Sequence, residues 1–118
     1  LLLGSRLWYH GEKYAGAWNF GPLNNEIWTV EEIVRHTILL WGEGNYSFDE
    51  RKKPHEAQWL KLDCSKARID LQWKPRYTVK QALGKSVKWY KQFYAGAGIE
   101  EMRVFTQEQI EEYNRLFE

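Results

Sequence analysis

The sequence predicts an α/β fold, and three observations carry that expectation. Gly16–Phe20 reads as a short strand, with Trp18 and Phe20 on one face and Ala17 and Asn19 on the other. Both faces are largely apolar, the pattern of a strand covered on two sides in a layered sheet. Two later stretches, 29–41 and 78–94, open with capping boxes and hold their apolar residues within one arc. Between them, Trp59–Leu62 forms a brief extended run that leads into a short helix.

Taken in order, the chain opens on LLLGSRLWYH, a helical pattern with Leu3, Leu7 and Trp8 on one face. Neither a capping residue nor a methionine precedes it, so it reads as a helix cut from something longer. Gly11–Lys13 is expected to be a loop, and Gly21 and Pro22 stop the strand that follows. Thr29 and Glu32 make the first capping box. Val30, Ile33, Val34, Thr37, Ile38, Leu40 and Trp41 then share an arc at about 100° per residue. Leu39 lies on the polar side, which hints at a partner surface. Gly42 and Gly44 end the helix.

Tyr46 and Phe48 alternate with Ser47 as a second short strand, and Asp49–Lys53 is a charged loop. Asp63 or Ser65 can cap a helix over Lys66–Leu71, and Lys74, placed before Pro75, is pushed out of the helical region. Thr78 and Gln81 form the second box. The helix they open carries Val79, Ala82, Leu83, Val87, Trp89, Tyr90, Phe93 and Tyr94 on one side. Lys80, Lys85, Lys88 and Lys91 fall on the other. Gly96 and Gly98 break it. Thr106 and Gln109 read as a third box, starting a terminal helix with Ile110, Tyr113 and Phe117 inward.

Composition bounds the function. A hydrophobic share of 43% with 16% aromatic residues is enough for a packed core and argues against disorder. Seven tryptophans in 118 residues place several large rings at the edge of that core or against a partner. One cysteine, Cys64, excludes a disulfide framework and any multi-cysteine metal site, and fits a reducing, cytoplasmic location. No signal peptide is legible, and Ile38–Trp41 is far too short an apolar run to cross a bilayer. The net charge of +1 hides a split of −4 over residues 1–50, +9 over 51–91 and −4 over 92–118. A basic middle suits an anionic ligand.

The catalytic constellations are incomplete. Gly42-Glu43-Gly44 follows a helix instead of joining a strand to one, so it is a helix end and not a dinucleotide turn. Tyr9 and Lys13 have a Tyr-x-x-x-Lys spacing that Gly11 interrupts. His10, His36 and His55 are not spaced as metal ligands. Cys64 reads as a small buried residue, and Trp59 and Trp73 as core edge.

The stretch D-x-S-K-A at Asp63, Ser65, Lys66 and Ala67, followed by Leu71, Trp73 and Pro75, resembles a signature of the extended short-chain dehydrogenase/reductases. Within them it is most similar to the nucleotide-sugar 4,6-dehydratases. Pro54–Ala57, Leu60–Arg68, Met102–Tyr113 and Gly16–Pro22 carry the same likeness, which covers nearly all of this chain but only the C-terminal third or so of such an enzyme. Gln72 stands where that family usually has glycine. The resemblance implies the C-terminal substrate-binding lobe of a Rossmann-like enzyme. Residues 1–44 would end its nucleotide-binding half and residues 45–118 would form the lobe.

For the whole enzyme the resemblance implies NAD, bound outside this chain, and a role in polysaccharide biosynthesis. The sugar C4 hydroxyl would be oxidised, water eliminated across C5–C6, and the hydride returned to C6. It implies a CDP-sugar substrate, the remainder of the polypeptide as a partner, and a homodimer, with no membrane and no nucleic acid. It also gives a role to Lys53, His55 and Glu56, whose loop reaches the nucleotide diphosphate in related enzymes. A cation and an N–H donor suit phosphate oxygens, and a carboxylate accepts from ribose hydroxyls. Lys53 keeps the charge of the commoner arginine and loses its bidentate geometry. This chain alone is expected to be inactive. Another epimerase or reductase lobe, or a basic nucleic-acid-binding module, are the alternatives.

Overall fold

In a computed structural model of the chain, the residues described are 1–23, 26, 28–48 and 62–116. Five helices run along them: α1 Leu2–Tyr14, α2 Val30–Trp41, α3 Ser65–Asp70, α4 Val79–Tyr94 and α5 Ile99–Arg115. Helix takes 64% of the described residues, and among them there is no strand. The described residues are therefore all-helical in their regular structure. The expected α/β Rossmann-like lobe is not what forms.

The reason lies in what each extended segment meets. A strand needs a neighbour to pair its N–H and C=O groups. The 16–20 segment is held by side chains instead. The Lys66 ammonium donates to the Ala17 carbonyl at 3.1 Å and sits 4.2 Å from the centre of the Trp18 ring. Asn19 donates to the Asp63 carbonyl. The second expected strand folds back onto α2, where the Tyr46 hydroxyl accepts from Arg35 and donates to Glu31. The extended run at Trp59–Leu62, apart from Leu62 itself, lies outside the described residues, as does the charged loop 49–53.

The helices follow their caps. At α2 the Thr29 hydroxyl accepts from the Glu32 N–H, and the Glu32 carboxylate accepts from the Thr29 N–H at 2.7 Å. Thr78 and Gln81 repeat this at α4. Gly42 closes α2 with φ 96°, a left-handed conformation that favours glycine. The third box is absent. α5 begins at Ile99 behind Gly98, and Thr106 lies inside the helix, its hydroxyl donating to the Met102 carbonyl. At the other end of the chain, α1 continues through Gly11–Lys13, where a loop was expected, and kinks at His10.

α4 is the centre, with α2 on one side and α5 on the other. Lys91 donates to the Trp41 carbonyl, neutralising the negative end of α2, and Trp41 meets Tyr94 edge to face. On the α5 side, the Trp89 indole N–H donates to the Thr106 hydroxyl at 2.8 Å, and Gln109 donates to the Lys85 carbonyl. Lys85 also pairs with Glu112. Among the described residues the buried apolar side chains are few: Tyr14, Cys64, Ala67, Leu71, Val87 and Met102.

α3 ends on Gln72, the one non-glycine residue at positive φ (54°) among those described. Here the chain reverses so that both the Leu71 and Trp73 N–H groups reach the Ala67 carbonyl. A Cβ in this conformation costs about 1 kcal/mol, which glycine avoids. Gln72→Gly is expected to stabilise the chain by about that amount. In thermal unfolding followed by circular dichroism, the midpoint should rise by about 4 °C. A fall would mean that the Gln72 side chain contributes more than its backbone costs.

Candidate functional site

Lys53, His55 and Glu56, the site residues expected from sequence, all lie outside the described residues. Leu62, nine positions beyond Lys53, is described, and it lines a concavity. That cavity, about 570 Å³, lies between the 20–23 segment, Trp28, the 73–79 segment and the first turns of α4.

Its walls are aromatic for local reasons. Phe20 leaves the clamped 16–20 segment and meets the Trp73 ring edge to face at 5.0 Å. Trp73 is presented by the reversal at Gln72, and Pro75 keeps the chain extended into Tyr77. Tyr77 packs edge to face on Tyr113 of α5 at 5.1 Å. Trp28, just before the α2 cap, packs across His36 at 5.3 Å. The Tyr77 hydroxyl and His36 Nε2 are both shielded from solvent without a hydrogen-bond partner among the described residues.

Few polar groups reach the cavity. The Glu26 carboxylate accepts from the Val79 N–H at 2.9 Å, meeting a free donor and the positive end of α4. Arg76 and Tyr77 also border a second cavity of about 390 Å³, closed on its far side by Leu1, Leu2 and α5. The arrangement can hold a flat or apolar group against rings, with a cation and a carboxylate at its rim. The groove's residues were missed from sequence. The available signal was the W-K-P-R-Y run just ahead of a capped helix, which places two rings and an arginine together.

The motif D-x-S-K-A turns out to be a clamp. The Asp63 carboxylate accepts the Ser65 N–H at 2.8 Å, opening α3, and Gly21 approaches so closely that a Cβ there would lie 3.4 Å from Cys64 Sγ. The hydrogen bonds from Ser65, with Arg68 adding a smaller attraction, hold the Asp63 carboxyl below its ordinary value. Cys64 is buried, in keeping with a structural role.

Among the described residues no group of three or more metal-ligating side chains forms. Gly42 closes α2 as its left-handed cap, and Tyr46 beyond it donates back to Glu31 of that helix. No described helix is long and apolar enough to cross a membrane. Three of the four α4 lysines have partners: Lys85 pairs with Glu112, Lys91 caps α2, and Lys88 lies over the Phe105 ring.

No protein-family model matches the chain. The chain is, however, similar to a nucleotide-sugar dehydratase. It is 40% identical over 114 residues to the C-terminal part of a CDP-glucose 4,6-dehydratase from Salmonella typhimurium. The likeness takes in 96% of this chain and 31% of that protein, so the chain spans about a third of its relative's length.

The Asp63 contact gives a pH test. A carboxyl lowered on folding stabilises the fold above its unfolded value, about 4, and loses that contribution as pH falls through the lower folded value. The Ser65 amide resonance should therefore titrate with a midpoint below that of an ordinary aspartate. Asp63→Asn should abolish the titration. A midpoint at the ordinary value would show that the Ser65 contact does not persist in solution.

Proposed function

We propose that this chain serves as the C-terminal, nucleotide-sugar-binding part of a CDP-glucose 4,6-dehydratase. The single observation behind this reading is the 40% identity running across 96% of the chain. In this reading NAD and the groups that oxidise and dehydrate the sugar belong to the part of the enzyme ahead of the likeness. Lys53 and His55 hold the diphosphate of the CDP-sugar, and Glu56 accepts from its ribose. The full enzyme works as a cytoplasmic homodimer.

The test is a chimera in which this chain replaces the C-terminal segment of the Salmonella relative. Supplied with CDP-glucose and NAD, the chimera should form the 4-keto-6-deoxy sugar. The 118-residue chain by itself should form none. An inactive but folded chimera, or turnover that follows the purified chain alone, would overturn the reading.

Lys53→Ala in the chimera should raise KM much more than it lowers kcat, because it removes binding shared by ground and transition states. The loss should be about 1–3 kcal/mol, that of a hydrogen bond to a charged group. Lys53→Ala and Glu56→Ala variants that both bind CDP-glucose like the parent in calorimetry would remove this loop from the site.

A further inference from the structure

The W-K-P-R-Y run at 73–77 borders two cavities, and only one of them has been accounted for. Burial alternates along the run: Trp73, Pro75 and Tyr77 are half-buried, while Lys74 and Arg76 are exposed. Pro75 holds the chain extended, and alternation in an extended segment sends rings to one side and cations to the other. Where the run meets α4 and α5 it borders the cavity of about 390 Å³. Lys85, on the second turn of α4, brings a third cation there. Tyr113 of α5 brings a third ring, packed edge to face on Tyr77.

The charge of this lining has one sign. Lys74, Arg76 and Lys85 border the cavity and, among the described residues, no carboxylate does; Glu112 meets Lys85 from outside the lining. Arg76 already has a partner, and a guanidinium carries five N–H donors, so it can serve a second acceptor. The Lys85 ammonium lies 5.9 Å from the centre of the Tyr77 ring, which presents charge and ring together. Such a lining takes a flat body against the rings and an anion against the cations. The volume is at the small end of the roughly 300–1,000 Å³ of ligand sites, and Leu1 and Leu2 close the far side. A nucleic-acid strand needs an open track on which successive bases stack, so a closed recess of this size suits a small molecule better.

We propose that this cavity binds a small aromatic phosphate: one flat ring system bearing one phosphate group, the class to which nucleoside monophosphates belong. The ring lies against Trp73, Tyr77 and Tyr113, and the phosphate accepts from Lys74, Arg76 and Lys85. These residues are a different set from Lys53, His55 and Glu56, and the site does not rest on the function proposed above.

A chemical-shift titration of the isotope-labelled chain tests it, with phenyl phosphate as the probe and phenol and inorganic phosphate as its two halves. Phenyl phosphate should bind at least roughly tenfold more tightly than either half, because the charged contact and the ring contact then act in one molecule. Its shifts should centre on the amides of Lys74, Arg76, Lys85 and Tyr113. Lys74→Glu, made on an exposed side chain, should weaken binding at least roughly tenfold, since it replaces an attraction with a repulsion. If that variant does not fold by circular dichroism, Lys74→Ala decides, with a loss of about threefold or more. Inorganic phosphate binding as well as the probe would overturn the proposal, because lysines alone would then suffice. Phenol binding as well as the probe would do the same from the apolar side. No binding at millimolar probe also counts against it. So does weakening by Lys53→Ala in place of the Lys74 variants, which would put the ligand on the 53–56 loop. A single-stranded oligonucleotide that shifts the same amides at lower concentration than the probe would replace the small ligand with a nucleic acid.

Discussion

Lys66 is the joint on which the arrangement turns. Its ammonium reaches across 49 positions of sequence to the Ala17 carbonyl and lies over the Trp18 ring. That contact, with Asn19 on the Asp63 carbonyl, ties the extended segment 16–21 to the start of α3. Part of the lining of the 570 Å³ cavity takes its position from this tie. Phe20 follows directly from the tied segment, and Trp73 follows from the end of α3. Their ring contact closes one wall. The residues of the D-x-S-K-A run that make the chain recognisable as a sequence thus tie separate segments together.

The parts of the fold legible in the sequence are those decided within four residues. Thr29 with Glu32 and Thr78 with Gln81 satisfy N–H groups that any helix must satisfy, so the same pairs appear in the structure. The third pair, Thr106 and Gln109, has identical spacing and a different role. A cap needs a residue outside the helix, and Gly98 already supplies that break one turn after α4. Thr106 is then free to bond back to Met102 and to accept the Trp89 indole N–H. Spacing alone does not separate these outcomes. What separates them is whether a helix start lies upstream.

The strands failed for a longer-range reason. Alternation of apolar groups at 16–20 reports two covered faces, whereas Ala17, Asn19 and Phe20 are exposed and Trp18 is only half-buried. It does not report a hydrogen-bonded neighbour. Side-chain donors from Lys66 and Asn19 took that place. At 46–48, Tyr46 is held by Glu31 and Arg35 on α2, with Phe48 against its ring, a pairing no local pattern announces. The site expected at Lys53, His55 and Glu56 came from family resemblance and lies beyond the described residues. The groove that the described residues do form depends on rings from four separate segments, which only the fold brings together.

The energetic balance of the chain explains why its helices carry so many local ties. A small domain gains most of its stability from covered apolar surface, at roughly 25 cal/mol per Å². Here the covered side chains include no large one that is completely enclosed. Polar and charged contacts stand between the helices instead: Lys91 on Trp41, Gln109 on Lys85, Trp89 on Thr106, Glu26 on Val79. Each contributes about 1 kcal/mol when formed, and none is cooperative in the way a filled core is. Such ties fix the direction of α2, α4 and α5 without needing depth. They keep the rings of the groove in register while leaving α1 and the outer face of α4, at Tyr90, Phe93 and Tyr94, open. A scaffold built this way takes its geometry from these ties and not from a deep core.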